Sequence, residues 1–397
     1  MHLRQFGKYK KVLLHKSLTS FFRYGNRELA AYFIEKDINQ GGSSFSKFYK
    51  DALLEKSDPW DGTVREVSAR KKAGYENKQI TPLHCACINP SIGPLEALFK
   101  VCPDLYIADS DEKKLVHYAA ACEDDGPLKF LFEKGANLED PDKDGQTPLM
   151  IVCKVGRDKC ADFIIEKLAE RTADEFSLKK FGKGGIDKPG KDTWCSLHIA
   201  VAHQNHNVVK ILLKYGAKLD KPLSTTYDKI TPLMLAAANG DLEMIKILIN
   251  KKAKIEKYDK YKRTALTHAV INGSANVASY LLSLGADPNK LDSSQNSNLH
   301  YACAYGWWFC MKVLMDAGAV VDAKNEWSLT PLGVAIMKGN KGIVDHLVKL
   351  PGIDINLKDD KGRTILLNML VNQNDFTDEL LDNIKKLVET CRADPKV

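Results

Sequence analysis

Apolar positions along the chain fall into two alternating kinds of short run. One opens with a hydroxyl and a proline or their equivalents and continues as tightly packed small and large apolar residues. It reads TPLHCA at Thr81, KLVHYA at Lys114, TPLMIV at Thr147, CSLHIA at Cys195, TPLMLA at Thr231, TALTHA at Thr264, SNLHYA at Ser297, TPLGVA at Thr330 and TILLNM at Thr364. The other follows about a dozen residues later, as in MIKILI (Met244 to Ile249) and VASYLL (Val277 to Leu282), and has the apolar stripe of a helix packed on one side. Successive first runs are 33, 33, 48, 36, 33, 33, 33 and 34 residues apart, which makes the chain a tandem repeat of nine units.

Each unit predicts two antiparallel helices. Proline after threonine starts the first, because at the first helical position it forfeits no hydrogen bond and its φ is already helical, while the threonine hydroxyl caps free amides. Leu and Ala then make a narrow inner face. After about ten residues a glycine, as in Asn239-Gly240, Asn272-Gly273 and Gly306, supplies the left-handed turn that ends the helix. Between pairs lies a polar, turn-prone segment such as DPNKLDSSQNS, Asp287 to Ser297. A single pair leaves an apolar side bare, so neighbouring units must stack to cover it. Two connections break the period: about 15 extra residues within the Gly/Lys-rich 172–192, expected as a mobile surface loop, and three more around Leu223 to Tyr227.

Over about residues 77–392 these motifs resemble ankyrin repeats, whose consensus is roughly DxxGxTPLHxAAxxGxxxxxxLLxxGAxxx. The units at Thr231, Thr264 and Ser297 match well, with LLSLGADPN (Leu281 to Asn289) and LMDAGAVVD (Leu314 to Asp322). The unit at Lys114, with Lys-Leu for Thr-Pro, and the last unit, without Pro or His, depart from it. The resemblance implies an all-α solenoid of stacked helix-turn-helix units with projecting β-hairpin loops. It also implies that His84, His117, His198 and His300, which share one motif position, hydrogen-bond the backbone of neighbouring hairpins. Such arrays act as protein-binding scaffolds or assembly subunits, and their surface residues vary with the partner, whose identity the sequence leaves open.

Outside the repeats, residues 1–76 predict a basic extension and helical cap, with short amphipathic helices around Asn26 to Lys36 and Phe45 to Lys56. Thr377 to Cys391 predicts a closing helix before the tail at 393–397. The net charge of +7 resides in residues 1–27, where Arg4, Lys8, Lys10, Lys11, Lys16, Arg23 and Arg27 occur without an acid. The remaining 51 basic and 51 acidic side chains balance, so the body as a whole gives no electrostatic reason to bind nucleic acid. The arm has three readings: a mitochondrial targeting segment, a docking arm for an anionic protein, RNA or lipid surface, or the solvated first helix of the cap. No apolar run approaches the length of a transmembrane segment, and ten cysteines without CxxC pairs read as reduced, core-packing thiols. A soluble intracellular protein, cytoplasmic or mitochondrial, is expected.

Signals for chemistry are weak. GIDKPGKD (Gly185 to Asp192) satisfies GxxxxGK of a phosphate-binding loop, but Asp192 stands where Ser or Thr must meet magnesium, and the flanks are a repeat's second helix and the next hairpin. His203 and His206 align with a helix end and the turn after it rather than with a metal site. No nucleophile, base and orienting residue can be assembled, so no catalytic residue, cofactor or metal is expected. A regulatory subunit or cryptic nucleotide-binding enzyme using Gly185 to Thr193 stands as an alternative behind the scaffold and the basic-arm tether.

Aromatic residues are the more specific signal. Ten residues after the motif threonine the repeats carry polar side chains such as Asn205, Asp241 and Asn340, but the unit at Ser297 carries Trp307, followed by Trp308 and Phe309. Three residues before it, at the hairpin tip, Asp111, Asp144 and Asp228 give way to Tyr261 and Trp327. Exposed aromatics supply much of the energy of protein interfaces. Trp307, Phe309, Trp327 and Tyr261, with the half-buried Trp308, are therefore candidate partner-binding residues in two patches; the competing reading is that their rings cover a neighbouring repeat or the insertion.

Overall fold

A computed structural model describes residues 81–172, 185–191 and 193–350, with isolated positions from 353 to 388. The basic arm from Arg4 to Arg27, the expected cap within 1–76, residues 173–184 of the insertion, most of the closing helix and the tail lie outside the described residues.

The helix pairs run in chain order: α1 (Pro82–Ile88) and α2 (Ile92–Val101), α3 (Leu115–Ala120) and α4 (Gly126–Glu133), α5 (Pro148–Val155) and α6 (Asp158–Thr172), α7 (Ser196–Ala202) and α8 (His206–Lys214). They continue with α9 (Pro232–Ala238) and α10 (Leu242–Asn250), α11 (Ala265–Ile271) and α12 (Ala275–Ser283), α13 (Asn298–Tyr305) and α14 (Trp308–Asp316), α15 (Pro331–Met337) and α16 (Lys341–Leu347). The chain divides into two compact units between Lys218 and Leu219. In the first, α1, α3, α5 and α7 pack in succession; in the second, α9, α11, α13 and α15 do so.

Motif spacing explains this packing. The leucine two residues after the motif threonine is sealed in the core at Leu83, Leu149, Leu197, Leu233, Leu266, Leu299 and Leu332, and the small residue three further on is buried at Ala86, Ala119, Ala200, Ala236, Ala269, Ala302 and Ala335. Small side chains there let successive first helices approach closely. Thr231 Oγ accepts the Met234 amide at 3.4 Å, and Thr330 accepts that of Gly333 at 3.2 Å. Where Lys114 replaces threonine the hydroxyl cap is absent; its backbone N–H goes to His117 Nδ1 at 3.1 Å, and α3 spans six residues.

A backbone zipper joins the hairpins within each unit. The N–H four residues before the motif start donates to the carbonyl at the tip of the preceding hairpin: Lys143 to Asp111 (2.9 Å) and Lys191 to Asp144 (3.1 Å) in one unit, then Lys260 to Asp228 (2.8 Å), Ser293 to Tyr261 (2.8 Å) and Glu326 to Ser294 (3.0 Å) in the other. Where Asp or Asn stands five residues before the motif start, its side chain closes the hairpin: Asp292 Oδ1 takes the amides of Ser294 and Asn296 at 2.9 and 2.8 Å, and Asn325 Oδ1 takes those of Trp327 and Leu329 at 3.0 Å each. Two residues before the motif, the backbone is left-handed in every described hairpin, with φ of 61° at Glu112, 75° at Gly145, 61° at Lys262, 61° at Gln295 and 55° at Ser328.

The expectation of a mobile loop through residue 192 is corrected at its C-terminal end. From Gly185 the chain forms the hairpin of the next repeat, with Ile186 and Asp187 buried and Asp187 Oδ1 accepting the Lys218 amide at 3.1 Å. Lys191, the lysine of the GxxxxGK match, donates its ammonium to the Lys143 carbonyl. No helix among the described residues is long and apolar enough to cross a membrane.

Candidate protein-binding surface

The turn joining the two helices of a repeat has a fixed construction. The glycine nine residues after the motif threonine is left-handed, with φ of 84° at Gly156, 68° at Gly240, 74° at Gly273 and 74° at Gly306. Lying over it is the side chain ten residues after the motif threonine of the following repeat: Ser274 over Gly240, Trp307 over Gly273 and Asn340 over Gly306. Several of these side chains also donate to the carbonyls that end the preceding first helix, which have no partner inside that helix. Asn340 Nδ2 reaches the Cys303 and Ala304 carbonyls at 2.7 and 3.0 Å, Asn205 Nδ2 reaches that of Cys153 at 2.6 Å, and Arg157 Nε reaches that of Ala121 at 3.0 Å. The polar side chains that mark this position in the sequence are therefore not simply solvated: Arg157, Asn205 and Asn340 tie one repeat to the one before, while Asp241 accepts the Met244 amide of its own second helix.

Trp307 follows the same rule with different chemistry. Its indole N–H donates to the Ile271 carbonyl at 3.1 Å while its ring lies against Gly273. Trp308 ties in the other direction, its ring meeting the His346 imidazole edge-on at a centroid distance of 4.6 Å. About two fifths of each tryptophan is nonetheless exposed (41% and 37%). Phe309 differs: in the first turn of α14 it is 72% exposed and makes no aromatic contact among the described residues. Tyr305, at the end of α13 and 53% exposed, is a neighbour in sequence that spacing alone did not single out, because it replaces a helix-end residue that varies freely between repeats.

The hairpin tips form the other patch. Trp327 is 58% exposed; its backbone amide is held by Asn325, and no ring contact engages its side chain among the described residues. Tyr261 is less available. Lys260 Nζ and Arg263 Cζ lie 4.9 and 4.6 Å from its ring centroid, and Arg263 is itself anchored to the buried Asp259 at 2.8 Å. Burial works against the Asp259 charge, but hydrogen bonds from His268 and Arg263 outweigh it and hold the carboxyl below the usual range. Behind the tip, burial and the hydrogen bond to Asp292 push the Tyr301 phenol up, so that it donates to Asp292 Oδ2 at 2.6 Å as a neutral group.

Of the motif histidines, His117 and His300 reach the next repeat: Nε2 lies 3.2 Å from the Gln146 carbonyl and 2.9 Å from that of Leu329. His84, His117 and His300 also accept the backbone N–H at the start of their own helix, each at 3.1 Å through Nδ1. His203 ends α7 and His206 begins α8, and no group of three or more metal-ligating side chains occurs among the described residues. Burial raises the thiols of Cys122 and Cys310 to about 11, consistent with packing rather than reactivity.

Sequence comparison agrees with this geometry. The family model for ankyrin repeats matches residues 116–222, 197–292 and 285–359, and the chain belongs to the ankyrin-repeat family. It is 36% identical to a poly(ADP-ribose) polymerase tankyrase of Caenorhabditis elegans over 92% of this chain and 16% of that protein. It is 29% identical to the ankyrin repeat protein nuc-2 of Neurospora crassa over 60% of this chain and 24% of that protein. A probable 26S proteasome regulatory subunit p28 of Saccharomyces cerevisiae is 28% identical over 53% of this chain and 89% of its own length. The chain thus spans a quarter or less of the first two relatives, and the ankyrin array it shares with them is a non-catalytic module for protein–protein interaction.

Proposed function

We propose that this array is a non-catalytic scaffold or assembly subunit that grips a protein partner through Phe309 and Tyr305, with Trp327 at the hairpin tip as a second contact. The observation that carries the reading is Phe309: a large ring 72% exposed in a repeat whose two adjacent tryptophans already hold the stack. An exposed phenylalanine with no packing duty gains stability only when a second surface covers it. The exposed flanks of Trp307 and Trp308 extend the same apolar surface, and docking on a stiff stack orders few side chains, which reduces the entropy lost on binding. Tyr261, flanked by two cations, contributes less.

Similarity to a probable proteasome regulatory subunit supports an assembly role, because there the array makes up nearly the whole protein. The polymerase activity named for the tankyrase is not carried over, since the similarity spans 16% of that chain. Affinity capture from native cells, comparing the intact protein with a Phe309→Ala, Trp327→Ala variant of unchanged melting temperature, tests the reading. Loss of a specific protein supports it, and an unchanged set of partners rejects it.

A further inference from the structure

The overall charge balance of the repeats conceals a local excess. Over 219–350, seven basic residues face two acidic ones between Lys251 and Arg263, whereas the rest of that stretch carries nine basic and ten acidic residues. The segment leaves the end of α10 at Lys251 and Lys252 and runs through Lys254 and Lys257 to the hairpin tip at Lys260, Tyr261 and Lys262. Some of this charge is spent inside the fold: Arg263 pairs with Asp259, and Lys260 with Asp228 at 2.7 Å. Lys251, Lys252, Lys254 and Lys262 are exposed, and none forms an ion pair among the described residues.

An open cleft of about 460 Å³ lies within this segment, lined by Lys254, Glu256, Lys257 and Tyr258. Tyr258 is 60% exposed and, unlike Tyr261, has no cation over its ring among the described residues. The cleft thus offers a bare aromatic face, two ammonium groups and one carboxylate. A flat base stacks on tyrosine, phosphates suit the lysines, and the second oxygen of Glu256, whose Oε1 takes the Asp287 amide at 3.2 Å, can accept from a base amino or imino group. An acidic peptide can pair with the same lysines but fits less well, because it brings no flat base to stack on Tyr258 or to donate to Glu256.

We propose that Lys251 to Lys262 is a binding track for single-stranded nucleic acid, with Tyr258 as the stacking platform and the unpaired lysines on the phosphates. Fluorescence anisotropy on the full chain tests this with a labelled twelve-residue oligouridylate, the matching oligothymidylate and a twelve-residue polyglutamate peptide. Tyr258→Ala should weaken oligonucleotide binding at least fivefold, while Tyr258→Phe, which keeps the ring, should bind like the intact protein. Replacing Lys251, Lys252, Lys254 and Lys262 by Ala should make the slope of log affinity against log salt shallower by about 0.7 for each phosphate that is no longer neutralised. Tighter binding of the uridylate than the thymidylate assigns RNA; equal binding leaves the strand class general. Polyglutamate binding of equal strength and indifference to Tyr258→Ala would assign the track to acidic polypeptides and overturn the proposal. Oligonucleotide binding unchanged in both variants would overturn it by placing the interaction elsewhere on the chain.

Discussion

Trp307 lies across Gly273 so closely that a Cβ built on the glycine would sit 2.7 Å from the indole Cδ2, and the same indole donates its N–H to the Ile271 carbonyl. One side chain therefore covers the left-handed turn of the preceding repeat and caps its first helix. Gly273→Ala should destabilise the protein by about 2–3 kcal/mol, combining the left-handed strain with the clash. Adding Trp307→Ala, which removes the ring that the new Cβ meets, should cost about 1 kcal/mol less in the Gly273→Ala protein than in the intact one. Denaturant melts of the four proteins in the cycle measure the coupling, and strict additivity would show that the ring does not press on the glycine.

The capping role separates two replacements of the tryptophan. Asparagine does the same work at Asn205 and Asn340, so Trp307→Asn should keep stability within about 0.5 kcal/mol, whereas Trp307→Ala, which leaves the carbonyl without its donor, should lose about 1–2 kcal/mol. Equal losses would show that ring contact alone matters.

The left-handed position before each motif predicts a gain. Gln295 has φ of 61° and Ser328 has φ of 55°, where glycine carries no Cβ penalty. Gln295→Gly should therefore stabilise by about 0.5–1 kcal/mol, read as a rise in melting temperature, because relief of that strain exceeds the entropy glycine adds to the unfolded chain. A lower melting temperature would contradict it.

Acid should loosen the stack. Burial lowers the pKa of His117 and of His300 from the ordinary 6.5, so both are neutral in the fold and accept a backbone N–H through Nδ1. A depressed folded-state pKa gives stability that is fully present above the unfolded value and is lost as pH falls through the folded one. Stability should be flat from pH 8 to 7 and decline below pH about 6.5. In His300→Gln the acid-dependent loss should be smaller, and an unchanged profile would show that other groups govern it.

Much of the fold was legible because the repeat writes its backbone requirements into single residues. Asp259 and Asp292 stand where the consensus Asp closes the hairpin, Gly273 and Gly306 where the turn is left-handed, and Leu266 and Leu299 in the core. What sequence could not give was the relation between repeats. Trp307 replaces polar residues, which reads as exposure, yet Asn340 and Arg157 at that offset also reach back to the preceding helix. At Arg157, Asn205 and Asn340 polarity signals a donor that reaches the preceding helix rather than contact with water, whereas Asp241 at the same offset accepts the Met244 amide of its own second helix. Similarly, GIDKPGKD reads as loop by composition, although Ile186 is buried because the hairpin of the next repeat begins at that point.

The central claim is that Phe309 is free for a partner while Trp307 holds the stack. It is tested most directly by placing a photo-cross-linking phenylalanine at position 309 and, as a control, at the exposed Ser279, then irradiating in native cells. The account predicts a discrete cross-linked protein from position 309 that is absent from position 279, with the melting temperature unchanged. The same weak background from both positions, or only cross-links within the chain itself, would contradict it.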